Sequence, residues 1–287
     1  RWAFAYPGGV ASTNPIVAAG RVYVGSLTGQ VFALDARTGC TVWTINVGAP
    51  IRAAVSVGPN TAAPQTARIV AYISDYNGTV HAVDARDGRA LWATSVIADP
   101  KLSRISGSPT LYAGRLYVPI TGREDSLAAN PDYQCCRSRG ALVALDAAKG
   151  DVLWTHYTIA NRARPTIHNS RGVQMFGPAG AGIWSAPTVD PMRHAVYVST
   201  GNDYSFPGSD ASDAIIALDW ASGAELWKTQ VLKKDIWVLG CEGAPPVNCL
   251  PNHGPDLDFA SPTLLAALSA GRQVILAGAL SGNAYAS

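Results

Sequence analysis

The 287 residues carry 22 Lys and Arg against 20 Asp and Glu, a net charge of +2. Apolar side chains make up 48% and charged ones 15%, so there is ample core material and no basic footprint for nucleic acid. No apolar run reaches the roughly 18 residues that a membrane-crossing helix needs, and neither a starting Met nor a signal-peptide pattern opens the sequence.

In chain order, Arg1-Trp2-Ala3-Phe4 reads as the closing strand of a unit that begins earlier. Pro7-Gly8-Gly9 then predicts a turn into a first full unit, Pro15 to Trp43. That unit ends on a template: Asp35, Gly39 four residues on, Trp43 eight residues on. The template returns as Asp84-Gly88-Trp92, Asp146-Gly150-Trp154 and Asp219-Gly223-Trp227, four copies in all. The chemistry is that of a tight hairpin. The Asp carboxylate accepts backbone N–H groups two or three residues ahead, and Gly supplies a positive φ. The Trp then closes a second strand, where a flat ring can wedge between sheets. Earlier strand-like runs precede each hairpin at 21–25, 68–72, 115–118 and 195–198. Each unit is therefore a meander of about four short antiparallel strands, and a fixed repeat of this kind predicts an all-β β-propeller.

The steps from Trp to Trp are 41, 49, 62 and 73 residues, starting from Trp2. A plain blade needs about 40–45, so the excess goes into inserts. These fall at Thr121–Arg139, Ile159–Gly182, Gly201–Asp213 and Leu232–Phe259. They follow comparable points in the strand order and are expected at one mouth of the propeller, where loops on a rigid scaffold carry function. We read residues 1–287 as one propeller domain, incomplete at both ends. Its open sheet edges would need more blades, and two chains completing one ring is one way to supply them.

Five cysteines are present: Cys40, Cys135, Cys136, Cys241 and Cys249. None has the spacing of a zinc site or a CxxCH haem site. Cys241 and Cys249 flank a Pro-rich loop and could close it, and Cys135-Cys136 could form a vicinal bridge. The alternative is buried free thiols. With the low charge, bridges favour an oxidising compartment, periplasmic or secreted.

The blade motif and the inserts together resemble the quinoprotein alcohol dehydrogenases, and among them the polyvinyl-alcohol dehydrogenase-like branch. The stretches that carry the resemblance are Thr121-Gly122-Arg123-Glu124, Cys135 to Gly140, Trp184 to Asp190, Ser199 to Ser205 and Gly254 to Pro262. The family's fold is an eight-bladed propeller holding pyrroloquinoline quinone (PQQ) and Ca2+, about half of which is visible here. The Trp motif is shared with non-enzymatic propellers, so it implies the fold, and the inserts imply the activity.

Residue by residue, the resemblance makes Glu124 a carboxylate ligand and Asn202 an amide ligand of Ca2+, a cation that takes hard oxygen donors. Asp258 resembles the catalytic base, which also lies at the metal. It sits between Leu257 and Phe259, with Asp256 as the competing choice. Trp184 lies off the blade template and resembles the aromatic floor for the cofactor. Arg52, Ser106 and Arg139 resemble its polar anchors, a guanidinium being suited to a carboxylate. Taken singly, each of these residues is equally a solvated loop side chain, a turn residue or a blade wedge. Two departures stand out. Methanol-type members carry their vicinal disulfide before the PQQ arginine, where this chain has Val47 to Arg52 without cysteine. Lanthanide users add an Asp two residues past the base, where this chain has Ala260.

The expected function is oxidation of a primary or secondary alcohol, small or polymeric, with hydride passing to Ca2+-polarised PQQ. Asp258 would act as base, and electrons would go on to a cytochrome c. The rival is a propeller without cofactor that serves as a binding or assembly scaffold, which has no need of Glu124, Asn202, Trp184 and Asp258 together. A third reading, a calcium-dependent sugar-binding propeller, would use Glu124 and Asn202 but no base.

Overall fold

The structure is a computed structural model that describes residues 1–6, 13–59, 69–242, 246–250, 252–268 and 272–286. The turn expected at Pro7-Gly8-Gly9, and Arg68, lie outside the described residues. The expected meanders are present as antiparallel sheets. The first is β1 (Ile16–Ala18), β2 (Arg21–Gly25), β3 (Gln30–Asp35) and β4 (Thr41–Asn46). The second is β5 (Ser56–Pro59), β6 (Ile69–Ser74), β7 (Thr79–Asp84) and β8 (Ala90–Ser95). In the third, a short β9 (Ser103–Arg104) joins β10 (Thr110–Tyr112), β11 (Arg115–Gly122), β12 (Ala141–Asp146) and β13 (Val152–Tyr157).

A two-stranded hairpin follows, β14 (Arg164–His168) with β15 (Gln174–Gly177). The fourth blade is β16 (Thr188–Asp190), β17 (Ala195–Ser199), β18 (Ala214–Asp219) and β19 (Glu225–Gln230). The last sheet has three strands, β20 (Leu264–Ala267), β21 (Gln273–Gly278) and β22 (Ala284–Ala286). This is a β-propeller fold. The chain divides into two compact units. One is Arg1–Pro100, Arg104–Val118 and Val143–Trp154; the other is Lys101–Ser103, Pro119–Leu142 and Thr155–Ser287.

In the first unit the hairpin template has a double cause. Asp35 accepts the N–H groups of Arg37 at 3.1 Å and Thr38 at 2.7 Å. Asp146 does the same for Ala148 at 2.9 Å and Lys149 at 3.0 Å. Gly39, Gly88 and Gly150 have φ of 76°, 75° and 80°, where a Cβ is strained. The indole of the preceding repeat also lies on each of them. An added Cβ would stand 2.5 Å from Trp2 at Gly39, 3.0 Å from Trp43 at Gly88 and 2.6 Å from Trp92 at Gly150. The same indoles donate Nε1–H to the carbonyl just past the hairpin Asp. Trp2 reaches Ala36 at 3.2 Å, Trp43 reaches Ala85 at 3.0 Å and Trp92 reaches Ala147 at 3.2 Å.

So in the first unit the Asp–Gly–Trp spacing is one interlock, in which the hairpins of Asp35, Asp84 and Asp146 each receive the Trp of the repeat before. Trp2 takes that place although residues 1–6 form no strand, since a strand exists only with a hydrogen-bonded neighbour. Within each blade a second-strand Tyr meets the Trp. The centroid distances are 5.9 Å for Tyr23–Trp43, Tyr72–Trp92 and Tyr117–Trp154. Gly150→Ala is expected to destabilise the protein by at least about 1–2 kcal/mol, the left-handed penalty for an L side chain. Contact with Trp92 adds to that loss. A thermal melt measures it, and an unchanged midpoint would contradict the interlock.

In the second unit Tyr197 and Trp227 repeat the pair at 5.8 Å, and Asp219 and Gly223 (φ 73°) repeat the hairpin. The inserts follow β11, β13, β17 and β19. Second and fourth strands of an antiparallel meander run the same way, so all four inserts leave their sheets at the same rim. Single bridges tie them in sequence: Arg139 to Gly180, Gly180 to Asp203, and Asp203 to Ile236. The second insert is not simply a loop, since β14 and β15 form within it. The first contains a one-turn helix, α1 (Glu124–Leu127), and the fourth a 3-10 turn at Leu239–Glu242.

Candidate active site

The rim of the second unit is held together by glycine backbone. Gly201 N donates to Gly182 O at 2.9 Å, Ala181 N donates to Asn202 O at 2.9 Å, and Ile183 N donates to Ile120 O at 3.0 Å. The segment before Trp184 is thereby laid against the segment that carries Asn202. Gly201 leaves room for a carboxylate, since a Cβ there would lie 2.7 Å from Oδ2 of Asp258. Oδ1 of Asp258 accepts the Asn202 backbone N–H at 2.6 Å. Asn202 commits both amide protons, to the carbonyls of Asp203 at 2.7 Å and Trp237 at 2.6 Å. Its amide oxygen is therefore the atom left for a ligand.

Asp258 is anchored from both sides. Phe259 is fully buried and meets Tyr285 edge-on at 5.6 Å. Leu280 N donates to the Asp258 carbonyl at 2.9 Å. On the other side the buried Asp235 accepts the N–H groups of Asp256 at 3.2 Å and Leu257 at 2.9 Å. Burial pushes the Asp258 carboxyl up to about 7, against the Asn202 hydrogen bond and with help from Asp256, Asp235 and Asp125.

Two buried carboxylates also belong to this rim. Asp203 is bonded by the backbone N–H and hydroxyl of Ser209, the latter at 2.8 Å, yet burial still pushes it up to about 7. Asp213 is pushed up to about 9, first by burial and then by Asp235, Asp258, Asp203 and Asp256. Neither Asp213 oxygen has a hydrogen-bond partner.

Glu124 is fully buried and serves the cysteine loop. Its carboxylate accepts Tyr133 OH at 2.7 Å, Arg137 N at 2.6 Å and the Ser138 N–H. Cys135 and Cys136 are bridged, as are Cys241 and Cys249, and Cys40 is a free, exposed thiol. Trp184 is half-buried, with its Nε1 enclosed and unpartnered. Arg139 spends Nη1 on the carbonyls of Ile159 and Ala160, both at 2.9 Å, and lies over the Tyr157 ring at 4.0 Å. Arg52, exposed, and Ser106, half-buried, belong to the first unit.

Sequence reasoning passed over Asp203, Asp213 and Asp235. A signal for Asp213 was available. The residue six before the hairpin Asp is Gly29, Gly78 and Gly140 in three units and Asp213 in the fourth. For Asp203 and Asp235 there was none, because the N–H groups they accept, at Ser209 and at Asp256 and Leu257, are brought to them only by the way each insert folds back.

The chain matches the PQQ family, described as the glucose/ethanol/alcohol dehydrogenase β-propeller domain, over residues 6–258. The chain belongs to this family. The PQQ-family chain is 41% identical over 286 residues to a polyvinylalcohol dehydrogenase of Pseudomonas sp. It is 38% identical over 290 residues to the polyvinylalcohol dehydrogenase of Sphingopyxis sp. strain 113P3. In both cases all of this chain is covered, and it spans 44% of the relative's length. Among solved structures it is similar to a quinohemoprotein alcohol dehydrogenase of Pseudomonas putida HK5. The TM-score is 0.69 at 20% identity, covering 97% of this chain and 40% of that one, a likeness of fold.

The donor set of the PQQ-family rim suits a hard divalent cation. It offers an amide oxygen on Asn202, the Asp258 carboxylate and the orphaned oxygens of Asp213, all on backbone fixed by hydrogen bonds.

Proposed function

We propose that the full protein is a PQQ-dependent dehydrogenase of primary or secondary alcohols, with a polymeric alcohol as substrate class. One observation carries the reading: the half-buried Asp258, held by the Asn202 N–H at 2.6 Å beside oxygen donors that fit Ca2+. The polyvinylalcohol dehydrogenases that match across the whole chain support the substrate class. When bound, PQQ would supply a hydride acceptor and Ca2+ a Lewis acid.

The chain's own residues would do the rest. Asp258 takes the proton of the substrate hydroxyl, its carboxylate oriented by Asn202 N–H. Asn202 Oδ1 and Asp258 hold Ca2+. Glu124 has one carboxylate lone-pair site left after its three hydrogen bonds, and contributes through it. Trp184 offers its ring face to the planar cofactor. The Nε and Nη2 groups of Arg139 bind its polar edge. A cavity of ≈ 250 Å³, lined by Ile167, Met175, Phe206, Ile236, Trp237 and Leu250, gives apolar space for a carbon chain. Trp237 is also the residue whose carbonyl holds the Asn202 amide.

A reduced cofactor must be reoxidised, and a cytochrome c, either another domain of the full protein or a separate protein, is the proposed acceptor. The two disulfides support a periplasmic or secreted location.

The test is titration of the full-length protein with PQQ in Ca2+, read by tryptophan quenching, beside dye-linked oxidation of a secondary alcohol and of polyvinyl alcohol. Saturable Ca2+-dependent quenching, weakened in Trp184→Ala and Glu124→Ala, is expected. A folded full-length protein that binds no PQQ would replace the enzyme with the scaffold.

A further inference from the structure

The residue with the least local reason to be what it is, Asp213, sits at the head of β18. In three units the equivalent residue is glycine: Gly29, Gly78 and Gly140. The backbone job is the same in all four. The carbonyl accepts the N–H of Val47, Val96, Thr158 or Val231, at 3.0, 2.8, 3.0 and 3.0 Å in that order. Two of the glycines have positive φ, 84° at Gly29 and 97° at Gly78, and Asp213 keeps that conformation at 47°. An L side chain there is disfavoured, so the carboxylate has been added to a position whose backbone role is filled by glycine elsewhere.

That carboxylate has no protein partner. Asp213 is 1% exposed and neither oxygen is hydrogen-bonded. A buried ionised carboxylate without a partner is costly. The neighbouring charges are those of Asp235, Asp258, Asp203 and Asp256, all of the same sign. Asp203 and Asp235 already spend oxygens on backbone N–H groups. The remaining groups are tied to Gly201 and its neighbour through the backbone, and the Asp213 carboxylate lies close enough to Asp258 to feel its charge. Asp213 N donates to Gly201 O at 3.1 Å, Asp258 stands over the Gly201 α-carbon, and Asn202 is the next residue. A divalent cation satisfies both free oxygens and offsets the repulsion at once.

We propose that Asp213 is a ligand, with Asp258 and the Asn202 amide oxygen, of the divalent cation in this rim, which would bind Ca2+ through two aspartates. The proposal rests on the calcium reading above and adds a ligand to it. A second aspartate raises affinity by ligand charge, and it makes Ca2+ uptake independent of whether PQQ is present.

The experiment is calorimetric titration of chelator-treated, PQQ-free full-length protein with Ca2+, with melting temperatures taken with and without Ca2+. The variants are Asp213→Asn, Asp213→Gly (which restores the residue of the other blades) and Asp258→Asn. Both Asp213 variants are expected to bind Ca2+ at least about tenfold more weakly, because ligand charge sets affinity, and to lose most of the Ca2+-induced rise in melting temperature. Wild-type affinity in both Asp213 variants, with binding lost in Asp258→Asn, would overturn this proposal and leave the calcium reading standing. Melting temperatures lowered equally with and without Ca2+, at unchanged affinity, would assign Asp213 to folding and overturn it too. A wild-type protein that takes up no Ca2+ would bring down the calcium reading and this ligand with it.

Discussion

On the proposed dehydrogenase reading, Asp258→Asn in the full-length protein is expected to leave it folded and to lower alcohol turnover by about 10²–10⁴-fold, the range for loss of a general base. The amide keeps an oxygen to accept the Asn202 N–H, now at 2.6 Å, so the segment between Asp235 and Leu280 stays in place. What is lost is the ability to take a proton. On the same reading only the ionised carboxylate is active, so rate is expected to rise with pH as Asp258 loses its proton. Burial pushes that carboxyl up to about 7, and a bound cation draws it lower, so the acid limb of kcat/KM falls at or below 7 in the wild type. The limb disappears from the residual activity of the variant. Asp256→Asn is the comparison. It lacks the Asn202 contact, and its effect is expected to be small. Activity retained within tenfold in Asp258→Asn and lost in Asp256→Asn would move the base to Asp256.

Trp43→Ala is expected to cost about 3–5 kcal/mol, the range for a buried aromatic truncated to alanine. Trp43 is buried in a cluster with Tyr23, Ile51, Val55 and Val83. Its ring touches Gly88, and its N–H holds the Ala85 carbonyl at 3.0 Å. Truncation opens a cavity and removes the interlock between two repeats in one step. Trp43→Phe keeps most of the volume and is expected to lose about 1 kcal/mol, the net value of a hydrogen bond. Urea unfolding followed by circular dichroism separates the two. Equal, small losses in both would show that the Trp fills space without locking the hairpin.

These two residues were open to sequence reading to different degrees. Trp43 is part of a template with constant Asp, Gly and Trp offsets, and a constant offset across four copies can only reflect one repeated local geometry. Its second cause, the indole resting on the next hairpin's glycine, joins residues from different repeats. Asp258 was reached through resemblance, and only the contact with Asn202, 56 positions away, separates it geometrically from Asp256. Glu124 was legible as an acid in a meaningful place, but its bonds to Tyr133, Arg137 and Ser138 depend on how the cysteine loop folds back.

The sequence by itself determined the strand meander, the repeat and the places where the blades lengthen. Those are set by apolar strand-like runs, turn chemistry and spacing, all local along the chain. Only the tertiary structure decided which insert residues share one rim. The bridges from Arg139 to Gly180, Asp203 and Ile236 link residues far apart in sequence, and no local pattern encodes such pairs. The partnerless state of the Asp213 carboxylate is of the same kind. A residue's lack of a hydrogen bond is a property of everything packed around it, and it exists only once the chain has folded.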